Sequence, residues 1–295
     1  MLDKESHEFR HTNAVVEVWR LFQRDRIALF SFYALILLIL TALFSPFIAP
    51  YPSDMIFIGK ELVPPSWNDR GEVAYFFGTD DIGRDLFSRL INGTTYTLGA
   101  AGIIVIFTAI IGGFLGIVAG MSKGIKSQIL GHFLDAFLSI PILLISIVIA
   151  TLMEPSLSNA MLAILLALLP HFIHEIYQAI QKEWQKDYVL IQRLDGASNL
   201  TLLKDTILPN ILALYIKEIT RAFTVAILEI SALSFISLGA QRPTPEWGAM
   251  IRDSLELIYL APWTVILPGV AIMGSLLIVI VFGNGLTKAI NKYYE

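Results

Sequence analysis

The sequence predicts an all-α, polytopic integral membrane protein with six transmembrane helices and an N-in, C-in topology. Three observations carry this. Of the 295 residues, 55% are hydrophobic and 16% charged, with a mean hydropathy of +0.67, whereas a soluble domain is about 45–50% apolar and about 25% charged. Five stretches (27–53, 90–122, 136–153, 155–174 and 257–287) contain no Asp, Glu, Lys or Arg, and about 20 apolar residues cross a bilayer as a helix. Finally, Lys and Arg divide unevenly between alternate connections. Thirteen, including Lys4, Arg10, Lys123 and Arg193, fall in segments that N-in, C-in makes cytoplasmic, against six in external ones, the bias that basic residues impose on orientation.

The net charge of -4 argues against a polyanion-binding protein, so no nucleic-acid partner is expected. There is no cysteine, which removes disulfides and thiolate metal sites.

The elements follow in order. Residues 1–26 are polar and mixed in charge and form a cytoplasmic N-terminal segment. They lack the apolar core and small-residue cleavage site of a signal peptide, so the first span, near 27–48, is a retained anchor. The membrane domain occupies 27–295. An external segment, about 50–90, is rich in Pro and aromatics. Within it FGTDDIGRDLFSRL (77–90) predicts an amphipathic surface helix capped by Thr79 or Asp80. Ile82, Leu86, Phe87, Leu90 and Ile91 form its apolar face, and Asp81, Arg84, Asp85 and Arg89 its polar one.

The second span lies near 97–120. Gly112, Gly116 and Gly120 recur every four residues, a helix-packing face that lets backbones approach where packing replaces the hydrophobic effect. The third, near 130–153, contains Pro141, which removes a backbone hydrogen bond and bends the helix. The fourth, near 157–178, carries His171, His174 and Glu175 within one turn. A zinc site would need a further ligand, and no metal is assigned.

A fifth span, near 209–236, contains Lys217, Glu218, Arg221 and Glu229. At 100° per residue Glu229 falls about 20° and Arg221 about -60° from Glu218, with Glu229 about 16 Å further along the axis. Charges in a span usually face a bundle interior or a watery cavity. Glu218, Arg221 and Glu229 are therefore candidates for a translocation path; the competing reading is an internal Glu218–Arg221 pair and an interhelical partner for Glu229. The sixth span lies near 263–286.

No G-x-x-x-x-G-K-[ST] loop occurs, since Gly120, Lys123 and Gly124 have the wrong spacing, and no catalytic residue is assigned. The chain is thus read as a non-enzyme that binds no cofactor itself. Between the fourth and fifth spans, the loop at about 179–208 reads helix–Gly–helix. An apolar-periodic stretch ends at Gly196, a second helix starts at Ser198 or Asn199, and Pro209 opens the next span. That shape can dock in another protein's groove.

These residues are similar to a known family. Gly196 followed by Leu208 and Pro209 resembles the EAA loop of bacterial binding-protein-dependent ABC importers. FGTDDIGRDLFSRL, LDAFLSIPILL, DGAS…ILPN, ALSFISLG and RPTPEWGAM resemble the dipeptide/oligopeptide permeases over nearly the whole chain. LVPPSWNDRGEVAYFFGTDD and PEWGAMIRDSLELIYLAPWTVILPG look most like the Sap (sensitivity to antimicrobial peptides) branch.

The resemblance implies an ATPase-coupling loop made of Leu190, Ile191, Gln192, Arg193, Asp195, Gly196, Ala197, Ser198, Leu208 and Pro209. Leu190, Ile191 and Gln192 stand where the family has its EAA triplet. It also implies a Gram-negative inner membrane and its lipid, a second unlike permease, two cytoplasmic ATPases holding ATP and magnesium, and a periplasmic substrate-binding protein. The expected activity is ATP-driven alternating access for peptides, cationic antimicrobial peptides above all. Putrescine export, or assembly with another membrane protein, is the alternative.

Overall fold

The computed structural model describes residues 14–53, 55–122 and 124–294; Lys4, Arg10 and Lys123 of the orientation count lie outside them. The described residues are largely helical, with no β-structure beyond an isolated bridge between Thr79 and Asp85.

Helix α1 (Ala14–Phe22) was not anticipated. Val15, Val18, Trp19 and Phe22 recur at helical spacing, and Phe22 is buried against Phe32 and Phe282. The chain then turns at Asp25, whose Oδ1 accepts from the amides of Ile27 (3.0 Å) and Ala28 (3.2 Å) and caps α2 (Arg26–Ile48).

Residues 77–85 do not form the expected surface helix. Asp80 Oδ1 accepts from the Arg84 amide (2.9 Å) while Oδ2 pairs with Arg84 Nε (2.6 Å), and Gly83 turns the chain at φ +67°. A residue at positive φ ends a helix as effectively as a proline would, and glycine accepts it without strain. The cap is Asp85, whose Oδ2 accepts from the Ser88 amide at 2.8 Å. Asp80, Arg84, Asp85 and Arg89 are buried rather than displayed on an outer face. The helix beginning at Leu86 runs without interruption into the second span, so α3 is Leu86–Gly120, 35 residues, and starts well before residue 97. At 1.5 Å per residue it is about 52 Å long, longer than the roughly 30 Å hydrocarbon layer, a mismatch that tilt or protrusion of an end would absorb.

The expected third span is two helices, α4 (Ile125–Leu138) and α5 (Ile142–Thr151), bent by 82° at the break. Pro141 adopts ψ 137°, outside the helical region, and caps α5. Proline also disfavours helical backbone in the residue before it, which turns a kink into a corner.

Helix α6 (Leu157–Trp184) resolves the glycine face. A Cβ at Gly112 would lie 3.0 Å from Phe172 Cδ1, and one at Gly116 or Gly120 would lie 2.7 Å from Cβ of Ile176 or Ile180. The partner is internal, and α3 and α6 pack backbone to side chain with no room to spare. Ala160, Ala163 and Ala167 keep α6 equally slim elsewhere. A short loop carries α7 (Asp187–Leu194) and α8 (Asn199–Leu202), followed by α9 (Leu208–Phe235), α10 (Trp247–Ser254) and α11 (Trp263–Tyr294). The core lies where α3, α6, α9 and α11 meet, with Ile104, Ile164, Ile176, Ile227, Ile230 and Leu233 fully buried.

Helices α2, α3, α6 and α11 are long and apolar enough to cross a membrane, and the α4–α5 pair makes a fifth candidate if it is one broken span. The charges of α9 set it apart from these.

Gly116→Val is expected to lower the stability of the purified protein by about 1–3 kcal/mol, the usual cost of overpacking. Gly102→Val, at a position with nothing within 4 Å of its Cβ, is the control and is expected to leave the melting temperature unchanged. Thermal unfolding in detergent, followed by size-exclusion fluorescence, makes the comparison.

Candidate coupling loop and buried polar groups

The loop between α6 and α9 is rooted at both ends. Glu183, buried in the last turn of α6, pairs with Lys186 Nζ at 2.8 Å, and that ammonium lies 5.8 Å from the centroid of the Tyr188 ring. Val189 and Leu202 are buried and anchor α7 and α8 to the bundle. Helix α7 ends in a Schellman turn: the Ala197 amide donates to the Gln192 carbonyl (3.1 Å) and the Gly196 amide to the Arg193 carbonyl (3.2 Å), with Gly196 at φ +92°. The turn needs that left-handed residue, which explains the glycine. Ser198 then caps α8, its Oγ accepting from the Thr201 amide at 3.1 Å. Thr206 Oγ1 donates to Gln192 Oε1 (2.7 Å) and braces the two halves.

What remains outside is apolar. Leu190, Ile191, Leu194 and Leu200 are 54%, 58%, 79% and 70% exposed, beside exposed Arg193 and Asp195. A cleft of about 510 Å³ opens beside them, lined by Gln192, Asp195, Gly196, Ala197, Leu202 and Asp205 among others. Leu208 and Pro209 are half-buried at the entry to α9.

The charges of α9 separate into two groups. Glu218 is buried and takes Arg221 Nε on its Oε2 at 2.7 Å, while Arg221 reaches outward, 42% exposed, and Lys217 is exposed. That pair is the local i, i+3 arrangement weighed in the sequence. Glu229, also buried, accepts from Ser146 Oγ of α5 at 2.7 Å. It therefore ties the broken helix pair to α9. On α6, buried His174 lies 3.5 Å from Asp135 of α4, and its Nε2 is 2.6 Å from Gln178 Nε2.

One acid escaped the sequence reading. Glu246 is fully buried at the N-terminus of α10. Its Oε1 accepts from Thr97 Oγ1 of α3 (3.0 Å) and Ser231 Oγ of α9 (3.2 Å), and its Oε2 from the Ala249 amide (2.9 Å). Burial pushes its carboxyl above the usual carboxylate range, and the surrounding donors pull it back. The neighbouring Trp247 donates its Nε1–H to the Leu90 carbonyl at 3.1 Å, and Gly93 leaves room for the Pro245 carbonyl and the indole. An acid directly before a helix, flanked by Pro and Trp, was the available signal.

Around this joint a charge network connects three segments. Asp80 pairs with Arg84 (2.6 Å) and Arg89 (3.6 Å), Asp81 with Arg242 (3.3 Å), and Asp253 with Arg242 (2.8 Å) and Arg252 (2.9 Å). Arg252 Nη1 also donates to the carbonyls of Ser234 (2.9 Å) and Ala240 (3.1 Å). The network holds the 49–85 loop, the start of α3 and the α9–α10 connection together at one end of the bundle.

Residues 112–292 match the family of binding-protein-dependent transport system inner membrane components, and residues 15–65 match the N-terminal transmembrane domain of oligopeptide transport permease C. The chain belongs to the former family and is a multi-pass inner-membrane protein. Within it the chain is 64% identical to the peptide transport system permease protein SapC of Haemophilus influenzae, over all of both chains. It is 48% identical to SapC of Salmonella typhimurium over 96% of each chain, and 36% identical to the dipeptide transport system permease protein DppC of Escherichia coli over 93% of this chain and 92% of that one. A chain of the MetNI methionine ABC transporter in an inward-facing conformation superposes with a TM-score of 0.56 at 14% identity, covering 68% of this chain and 96% of that chain. At that identity the likeness concerns the fold alone.

Glu246→Ala would leave two hydroxyls and an amide without their acceptor, and is expected to destabilise the protein by about 1–3 kcal/mol. Glu246→Gln keeps one carbonyl oxygen for part of these donors and sets an NH2 group against the rest, and is expected to cost less than the alanine variant. Melting temperatures of the two variants in detergent make the test.

Proposed function

We propose that the chain is one permease subunit of a peptide-importing ABC transporter, driven through the α7–Gly196–α8 loop by ATPase subunits on the cytoplasmic side. The observation that carries the reading is the set of four exposed apolar side chains, Leu190, Ile191, Leu194 and Leu200, presented on a turn whose geometry only glycine adopts freely. Exposed side chains of this size on a loop rooted by Val189 and Leu202 are suited to a groove in a partner. Their relatives' names, peptide transport system permease and dipeptide transport system permease, supply the substrate class.

In this reading the six spans are α2, α3, the α4–α5 pair, α6, α9 and α11, with N-in, C-in topology, so the loop and both chain ends face the cytoplasm. ATP and magnesium are held by two cytoplasmic ATPases. A second, unlike permease completes the pathway, and a periplasmic binding protein delivers substrate. Since Arg221 already neutralises Glu218, Glu229 is the acid in α9 that a cationic peptide would use. Antimicrobial peptides are cationic, and they are the proposed substrate.

Gly196→Val forces a β-branched residue to φ +92°, a conformation costing about 1–2 kcal/mol for residues with a Cβ; nothing lies within 4 Å of that Cβ, so the bundle is untouched. The variant is expected to insert normally but to bind the ATPase subunits more weakly or to hydrolyse ATP without transport. Normal co-purification with fully coupled uptake would refute the loop's role. Glu229→Gln is expected to raise the peptide concentration needed for half-maximal uptake several-fold while the complex still assembles. Failure to assemble would instead limit Glu229 to its interhelical contact with Ser146 and remove it from the substrate path.

A further inference from the structure

Two clefts meet where α1 turns into α2 and α11 ends. One, about 550 Å³, is lined by Arg24, Arg26, Lys288 and Lys292, with Gly285 and Ala289 along its floor. The other, about 230 Å³, is apolar and lined by Val15, Val18, Trp19, Leu286, Ile290 and Tyr293 among others. Phe22 borders both.

The four basic side chains are exposed and, among the described residues, none forms an ion pair. Asp25 also borders the basic cleft, but its Oδ1 is engaged by the amides that it caps. Among the described residues that line the cleft, four cations therefore face one carboxylate, which also caps α2. Their spacing depends on the close approach of α11 to α2: a Cβ on Gly285 would collide with that of Ala28. Alongside lies the apolar groove, with Trp19 and Tyr294 partly exposed at its edge, and the neighbouring α2 exposes Ile27 and Phe30. Trp and Tyr favour the level of lipid headgroups, and an amphipathic helix such as α1 lies in that plane. A basic cleft joined to an apolar groove with Trp and Tyr at its edge is complementary to a lipid that carries an anionic headgroup.

We propose that this paired cleft binds one anionic phospholipid, with its phosphate among Arg24, Arg26, Lys288 and Lys292 and an acyl chain in the groove beside Trp19 and Ile290. Basic clefts between spans recognise anionic headgroups through charge, so a zwitterionic lipid with the same chains lacks the main attraction. The bound lipid would join α1 to the end of α11.

Native mass spectrometry of the full chain in detergent tests this, with phosphatidylglycerol, phosphatidylethanolamine of the same chains, or inorganic phosphate added. One phosphatidylglycerol is expected to be retained at least tenfold more tightly than phosphatidylethanolamine. Each of Arg24→Gln, Arg26→Gln, Lys288→Gln and Lys292→Gln is expected to weaken it about fivefold. Val15→Asp, at the exposed rim of the groove, is expected to weaken the lipid as well. Lys288→Gln and Lys292→Gln, both on the exposed surface, keep the test valid if the Arg24→Gln or Arg26→Gln variant does not fold. Equal retention of the two lipids, or a preference that survives those substitutions, would overturn the proposal. So would phosphate competing as well as the lipid, or a preference emerging only once residues 1–13 are removed, which would give the groove to that segment.

Discussion

The contact on which the remaining structure depends is the glycine face of α3 against α6. Inside a bilayer, apolar side chains gain nothing by leaving lipid for protein, so helices associate through close packing and polar contacts. Gly112, Gly116 and Gly120 provide the first by letting Phe172, Ile176 and Ile180 sit against the α3 backbone. Gln181 provides the second: its Nε2 donates to the carbonyls of Gly120 and Ser122, both at 2.9 Å. These contacts fasten the last two turns of α6, and the helix–turn–helix loop begins three residues beyond. A push on Leu194 or Leu200 is therefore delivered to a segment already fixed to α3 on one side and to α9 on the other. That arrangement suits a loop proposed to convey force.

Polar groups lock the other joints. Ser146–Glu229 ties the bent α4–α5 pair to α9, and Glu246 joins α3, α9 and α10 by accepting three hydrogen bonds in a fully buried site. Burying such groups is costly, and removing one partner leaves that cost uncompensated, so the segments stay where the partners meet. The network of Asp80, Arg84, Arg89, Asp81, Arg242 and Asp253 acts in the same way where loop segments meet the ends of α3 and α10. One end of the bundle is held by charge and the middle by close packing, while the loop end exposes apolar side chains.

Much of this was legible in the residues. Small residues four apart announced a packed helix face, although their spacing could not name Phe172, Ile176 and Ile180 as the other side. The turn at Gly196, the cap at Ser198 and the Glu218–Arg221 pair are local patterns, and each stands where the sequence put it. Pro141 signalled a break, but the 82° corner depends on the packing of two helices and not on the proline alone. The surface helix expected from Thr79 or Asp80 failed because two acids could each serve as the cap. The choice fell to Asp85 once Asp80 was taken by Arg84, a decision made by side chains that meet only in the folded loop. Glu246 was invisible for a related reason: its partners Thr97 and Ser231 lie on other helices, far away in the chain. Helix α1 is nine residues long, too short for periodicity to stand out from a polar, mixed-charge segment.

The central claim is that the α7–Gly196–α8 loop meets a cytoplasmic ATPase. Site-specific photo-crosslinking in the assembled complex addresses it directly, because Leu194 is 79% exposed on the loop and Tyr259, 96% exposed between α10 and α11, offers a control on the opposite side of the proposed topology. A crosslinker at Leu194 is predicted to capture the ATPase subunit, in an amount that changes with bound nucleotide, while one at Tyr259 captures none. Capture from Tyr259, or an absence of ATPase adducts at Leu194 in a complex that hydrolyses ATP and transports peptide, would contradict the account.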